Sequence, residues 1–128
     1  MYQRQVSFGE AVQRAIIENY CNFNGRASRS EYWFFALFNF IISFVLGFLT
    51  GLTGGATFLT VLTYIISLAL LLPGLGLSVR RLHDINRSGW WVLIGLIPLV
   101  GAIILIIWFA KESDPVENQY GPVPNMVG

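Results

Sequence analysis

The chain has 128 residues, of which 55% are hydrophobic and 12% are charged, and its mean hydropathy is +0.62. A soluble domain normally carries about 25% charged residues, so this composition excludes an ordinary soluble protein. One cysteine cannot form an intramolecular disulfide, and one cysteine with one histidine cannot build a zinc site. No metal or other cofactor is therefore expected.

The first predicted element is an amphipathic helix over residues 7–20. Ser7 and Glu10 have the spacing of a capping box at its start. Apolar residues recur at three- and four-residue steps and form one stripe, namely Phe8, Ala11, Val12, Ala15, Ile16 and Tyr20. We expect this helix to lie in the cytoplasmic interface of the membrane. Docking on the ends of the membrane spans, or on a partner protein, are the alternatives.

Three long apolar runs follow, over residues 32–52, 56–79 and 90–110, and none contains an ionisable Asp, Glu, Lys, Arg or His. A helix of about 20 apolar residues matches the roughly 30 Å hydrocarbon core of a bilayer. Ser28 and Glu31 form a second capping box just before the first run. The sequence therefore predicts an all-α integral membrane protein, with three transmembrane helices in a single domain over residues 1–128.

Polar and small residues follow one face of each of the first two spans. They are Asn39, Ser43, Gly47 and Gly51 on the first, and Thr57, Thr60, Tyr64 and Ser67 on the second. Such faces usually make contact between membrane helices. Since the two spans are joined by a short hairpin, we expect Gly47 to lie opposite Tyr64.

Prolines interrupt the second and third runs. Pro73 removes a backbone donor and is expected to break or loosen the second span near the cytoplasm. Pro98 and Gly101 lie in the middle of the third run, where they indicate a kink. The alternative is a re-entrant hairpin, which would return the tail to the cytoplasm.

The distribution of positive charge predicts the orientation. Seven of the eight cationic residues fall on one side of the predicted spans, namely Arg4, Arg14, Arg26, Arg29, Arg80, Arg81 and Arg87. Lys111 falls on the other side. Because positive residues are retained in the cytoplasm, we expect a cytoplasmic N-terminus and an extracytoplasmic tail over residues 111–128.

Five of these arginines, together with acids and a histidine, form the candidate site at the cytoplasmic ends of the spans. The arginines are Arg26, Arg29, Arg80, Arg81 and Arg87. They are suited to binding anionic lipid or another anion, because guanidinium groups grip phosphate. The structural interpretation is that they pair with Glu31 and Asp84, while Ser28 caps the first span.

Two further functions stay open from the residues alone. A membrane enzyme acting on a phosphorylated or lipid substrate could use His83 as acid or base, oriented by Glu31 or Asp84. No nucleophile stands in a recognisable setting, so no catalytic residue is assigned. An oligomeric channel would place Thr60, Tyr64 and Ser67 around a lumen, although the spans lack the ionisable groups that carriers use.

Three stretches give the chain a resemblance to a known family. They are residues 23–33 (FNGRASRSEYW), 80–91 (RRLHDINRSGWW) and 118–124 (NQYGPVP). With them the chain resembles the domain of unknown function 805 family of small bacterial inner-membrane proteins. It departs from that pattern at Gln119, where an arginine is usual, and in its lead over residues 1–7. The resemblance implies a multi-pass protein of the bacterial inner membrane, and it brings no activity.

Together these observations predict a non-enzymatic inner-membrane protein. Its arginine-rich cytoplasmic layer is expected to bind anionic membrane lipid or a partner protein. The partner is a membrane protein or a second copy of the chain, and no nucleic-acid partner is expected.

Overall fold

Two long helices joined by a tight turn form the frame of the molecule, of which the computed structural model describes residues 2–127. The helices are α1 (Phe8–Gln13, continued by a π-helical turn over Arg14–Glu18), α2 (Arg29–Leu52), α3 (Thr57–Asp84), a 3-10 helix (Gly89–Leu96) and α4 (Val100–Phe109). Two short strands, β1 (Tyr2–Gln3) and β2 (Met126–Val127), pair antiparallel and bring the chain ends together.

By length and composition, α2 and α3 are each able to cross a membrane. Only 11% and 6% of the residues in their most apolar windows are buried within the chain, so they are not interior helices of a soluble protein. Both extend beyond the predicted runs, α2 by starting at Arg29 and α3 by ending at Asp84. Hydropathy marks where lipid contact ends, whereas capping groups decide where a helix ends. The all-α membrane architecture is thus confirmed.

Helix α1 is docked on the ends of α2 and α3. Ser7 caps it through the amide of Glu10, and the Arg4 guanidinium hydrogen-bonded to Glu10 lowers the pKa of that carboxyl to about 2. Ala11 and Ala15 are fully buried, and Phe8 packs edge-on against Phe34. Docking on the spans is the alternative that the sequence left open, and the helix ends at Glu18 rather than at residue 20.

Pro73 lies inside α3 without ending it, so the predicted break after residue 72 is wrong. A proline in a helix leaves the carbonyl four residues earlier without its amide donor. That carbonyl belongs to Ala69, and the hydroxyl of Tyr20 donates to it at 2.6 Å. In a membrane, a neighbouring side chain that satisfies the freed carbonyl lets the helix continue.

The third apolar run is not a single helix, so the prediction of one continuous helix over 90–110 needs correction. The 3-10 helix ends at Leu96, Leu99 has a positive φ of 63°, and α4 runs only ten residues, about 15 Å. A Cβ on Gly101 would lie 1.8 Å from the carbonyl oxygen of Ile94, so the two arms meet where only glycine fits. The two arms fold back on each other as a helical hairpin, and the ring centroids of Trp91 and Trp108 lie 5.7 Å apart across its base.

The tail accordingly returns to the end of the molecule that carries the arginines. The amide of Asp114 donates to the carbonyl of Asp84 at 2.8 Å, and the amide of Arg4 donates to the carbonyl of Asn125 at 2.8 Å. The predicted tail over residues 111–128, on the face opposite the N-terminus, is incompatible with these contacts. Lys111 therefore joins the seven arginines at one end of α2 and α3.

Candidate functional site

A buried polar cluster occupies the ends of α2 and α3, and we call it the arginine clasp. It consists of Arg26, Arg80, Arg81, Glu31 and Asp84, all of them buried. The last turn of α3 projects its three members to one side, and the amide of Ala27 donates to the carbonyl of Arg80 at 3.1 Å, which fixes the loop before α2. The clasp thus forms where residues 23–33 meet residues 80–91, the first two stretches that carry the family resemblance.

Asp84 is the centre of the clasp. Its Oδ1 accepts from Arg26 Nε at 3.0 Å, and its Oδ2 accepts from Arg81 Nη1 at 2.8 Å. The hydroxyl of Ser113, from the tail, also donates to Oδ2. All three charged side chains are at most 1% exposed. A buried carboxylate with two guanidinium partners and a hydroxyl is fully satisfied, so this group is structural.

Arg26 holds the tail through backbone carbonyls. Its Nη2 donates to the carbonyl of Asp114 at 2.7 Å, and its Nη1 donates to those of Val116 and Gly121 at 2.9 and 3.1 Å. With the bonds to Asp84, these contacts use the donors of the guanidinium. Arg26 is therefore not available to a lipid phosphate.

Arg81 binds backbone carbonyls in the same way at the end of α4. Its Nε donates to the carbonyl of Phe109 at 3.0 Å, and its Nη2 donates to the carbonyl of Lys111. The indole of Trp33 donates to the carbonyl of Phe109 as well, at 3.1 Å. The last carbonyls of a helix have no partner within it and carry partial negative charge, so a cation there stabilises the helix end.

Arg80 is the least satisfied member of the clasp. Its Nε donates to the carbonyl of Asn22 at 3.2 Å, and its Nη1 lies 3.6 Å from Oε1 of Glu31. Its Nη2 is buried and makes no hydrogen bond to any described residue. The predicted structural pairing of Glu31 with an arginine is thus formed, and Ser28 accepts from the amide of Glu31 as the capping box requires.

His83 is oriented by the backbone instead of by an acid. Its Nδ1 lies 2.9 Å from the carbonyl oxygen of Gly25, and its ring stacks on Tyr120 at 3.9 Å between centroids. Glu31 and Asp84 are engaged with arginines. The acid–histidine pair that catalysis would use is not formed in this structure.

The remaining two arginines of the predicted anion site lie outside the clasp, beside Lys111. Arg29 is half-exposed and its Nη2 is 3.9 Å from the Glu112 carboxylate. Arg87 lies over the ring of Trp108, 4.2 Å from its centroid. We call Arg29, Arg87 and Lys111 the rim cations. The five arginines of the predicted anion site therefore divide into three buried residues and two at the surface.

Several side chains of the site that sequence reasoning missed come from the tail. Ser113 binds Asp84, the Asn118 amide donates to the carbonyl of His83 at 3.0 Å, and Tyr120 covers the His83 ring. A signal for them was present, because the three stretches that carry the family resemblance supply Arg26, Asp84 and Gly121 to one cluster. Their joint presence indicated a common site.

A second feature lies within the membrane-spanning part, between α2 and α3. It is a groove of about 510 Å³ with polar and small residues along its walls, among them Asn39, Ser43, Gly47, Thr60, Tyr64 and Ser67. Gly47 and Tyr64 face the same groove, but a Cβ on Gly47 would meet nothing within 4 Å. The predicted close packing at this position is thus replaced by an open groove.

Comparison with known proteins agrees with this architecture. The model of the family described as "Protein of unknown function (DUF805)" matches residues 20–122. Inner membrane protein YhaH of Escherichia coli (strain K12) is 42% identical over 113 residues, which cover 87% of this chain and 93% of the relative. Inner membrane protein YhaI of the same strain is 38% identical over 110 residues, covering 86% and 92%. No solved structure matches.

Proposed function

The chain belongs to the DUF805 family of inner membrane proteins, and from this premise we propose that it is a non-enzymatic interaction protein which binds a second copy of itself within the bilayer. The binding surface is the groove between α2 and α3. The observation that carries the proposal is the placement of unpartnered polar side chains at hydrocarbon depth.

Asn39 is one of these side chains. It lies ten residues into α2 and seven residues, about 10 Å, into the apolar run over 32–52, which places it within the bilayer core. Among the described residues, neither Asn39 nor Ser43 finds a hydrogen-bond partner for its side chain, whereas Thr50 and Thr60 donate to carbonyls of their own helices. Lipid tails offer no hydrogen bonds, so an unpaired amide in hydrocarbon is costly. Another helix in the groove removes that cost.

A second copy of the chain can supply the missing hydrogen-bond partners. An asparagine amide both donates and accepts, so a two-fold axis near Asn39 allows the same residue of each copy to bond the other. The open surface at Gly47 and Gly51, where an added Cβ meets nothing within 4 Å, permits close approach of a second helix backbone. The face of α3 that carries Thr60, Tyr64 and Ser67 then lies at the interface between copies.

Replacing Gly47 with isoleucine is expected to abolish self-association, because the bulky side chain blocks the close approach while fitting in open space within the monomer. Asn39→Leu is expected to weaken it more modestly, by about 0.6–1.7 kcal/mol, the range of membrane-buried hydrogen bonds. Energy transfer between labelled copies in liposomes, measured against protein density, reports both effects.

Phe40→Leu provides the matched control, since Phe40 is exposed beside Asn39 and outside the groove. It is expected to associate like the unaltered protein. Monomers at every density, or equal association by Gly47→Ile, would show that the groove is not the interface.

The rim cations favour a second function, the binding of anionic lipid. Arg29, Arg87 and Lys111 lie at one end of the spans among the tryptophans Trp33 and Trp108, which prefer the headgroup region. Each basic residue near an anionic leaflet contributes about 1 kcal/mol. This proposal moves lipid binding from Arg26, Arg80 and Arg81 to the rim, because the clasp uses those side chains internally.

A triple substitution of the rim cations to glutamine is expected to weaken binding of anionic lipid by about 3 kcal/mol, from about 1 kcal/mol for each residue. Native mass spectrometry of protein extracted from vesicles of phosphatidylglycerol measures the retained lipid. Vesicles of zwitterionic phosphatidylcholine serve as the comparison and should show no change. Equal retention of the anionic lipid by the triple variant would contradict the proposal.

A further inference from the structure

A partly open cavity beside His83 is separate from the groove and the rim. It has a volume of about 460 Å³ and lies between α3, the 3-10 helix and the tail. Its walls include Leu75, Val79 and Leu93, with Trp90 at the membrane side and Tyr120 at the tail side. Cavities of roughly 300–1,000 Å³ with apolar walls and few polar groups are typical of small-molecule sites.

His83 presents one nitrogen to this cavity in a defined chemical state. The carbonyl of Gly25 can only accept, so Nδ1 carries the hydrogen of that 2.9 Å bond. In the neutral ring Nε2 then bears a lone pair and is an acceptor. Nε2 makes no hydrogen bond to any described residue. The cavity thus contains a fixed acceptor that lacks a donor.

The start of the 3-10 helix keeps that acceptor open. A Cβ on Gly89 would lie 3.4 Å from Nε2 and 2.5 Å from Cγ1 of Val79. Glycine therefore lets the chain pass close to α3 without covering the nitrogen. The stacked ring of Tyr120 holds the imidazole in this orientation from the other side.

We propose that this cavity binds a lipophilic molecule that carries a hydroxyl group, such as a phenol, with the hydroxyl donating to Nε2 of His83. The apolar walls receive the body of the ligand, and the aromatic rings of Phe23 and Trp90 suit a flat one. The cavity lies at the level of the interfacial tryptophans, where an amphiphile places its polar group. This site does not depend on self-association or on the rim cations.

The single histidine of the chain makes the test direct. Protein without an affinity tag is labelled with ¹⁵N-histidine and placed in nanodiscs at pH 8, so His83 gives the only imidazole signals. The probe is 4-heptylphenol, and 1-heptyl-4-methoxybenzene is the matched compound that lacks the donor. We expect the phenol to shift the Nε2 signal saturably toward its hydrogen-bonded position and the ether to leave it unchanged.

A pair of variants locates the binding. Leu93→Trp fills the cavity and is expected to abolish the shift, whereas Leu96→Trp, on the exposed side of the same helix, is expected to preserve it. The proposal is overturned if the phenol causes no shift, if the ether causes an equal one, or if Leu93→Trp responds like the unaltered protein. A resting spectrum with the hydrogen on Nε2 also overturns it.

Discussion

Replacing Asp84 with asparagine is expected to release the tail from the end of the helices, with a loss of about 3–5 kcal/mol in the stability of the docked state. Asparagine keeps the shape of the side chain but removes the charge that faces Arg26 and Arg81, both of them buried. Removing one partner of a buried ion pair leaves uncompensated charge in a low-dielectric site, which accounts for the size of the effect.

Proteolysis at Glu117 measures this effect, because Glu117 is exposed and lies in the tail segment that Arg26 holds. Cleavage there requires local opening, so its rate follows the population of the undocked tail. We expect cleavage in Asp84→Asn to be faster by about 150-fold to several thousandfold, since 3–5 kcal/mol changes that population by this factor. Glu112→Gln is the control, since the Glu112 carboxylate is 84% exposed and an exposed pair of this kind contributes about 0–1 kcal/mol. Equal rates in the two variants would show that the clasp does not hold the tail.

Both termini are expected to lie in the cytoplasm. With the tail docked on the clasp, all eight cationic residues lie at one end of α2 and α3, while the turn over residues 53–55 carries no charge. The positive-inside rule therefore orients the chain more strongly than in an arrangement with three full spans. A membrane-impermeant maleimide, applied to intact cells, distinguishes the two arrangements.

The reporters are Gln5→Cys, Thr53→Cys and Glu117→Cys, each introduced singly after Cys21 is replaced by alanine. All three positions are exposed. Thr53→Cys is expected to react from outside, and the other two only after the membrane is permeabilised. Reaction of Glu117→Cys without reaction of Gln5→Cys would restore the extracytoplasmic tail and refute the re-entrant hairpin.

The helical spans show which parts of this fold are readable from the residues. The first two follow from their length and hydropathy, and the start of α2 follows from the capping box of Ser28 and Glu31. Both signals depend on residues that are near one another in the chain. The third run has the same hydropathy, yet it turns back at Leu99. Hydropathy reports affinity for lipid and carries no information on the direction of the chain, so it could not separate a span from a hairpin.

The arginine cluster shows the same limit for the site. Its residues, its acids and its position at the helix ends were predicted, whereas the division into clasp and rim was not. Arg26 is held by the carbonyls of Asp114, Val116 and Gly121, and every residue has a carbonyl. A backbone carbonyl that binds an arginine therefore cannot be recognised from the residue types in the sequence. His83 is a further case, since its orienting group is the backbone of Gly25.

The sequence alone determined that this protein is a membrane protein and that its arginines lie at the ends of the helices. Both properties follow from the hydropathy and charge of residues that are close together in the chain. Tertiary structure decided the path of the chain after α3 and which arginines form hydrogen bonds with that segment. That outcome depends on contacts between segments far apart in the chain, such as the bond from Arg26 to the carbonyl of Asp114 and the bond from Ser113 to Asp84. Such contacts arise only when the chain is folded.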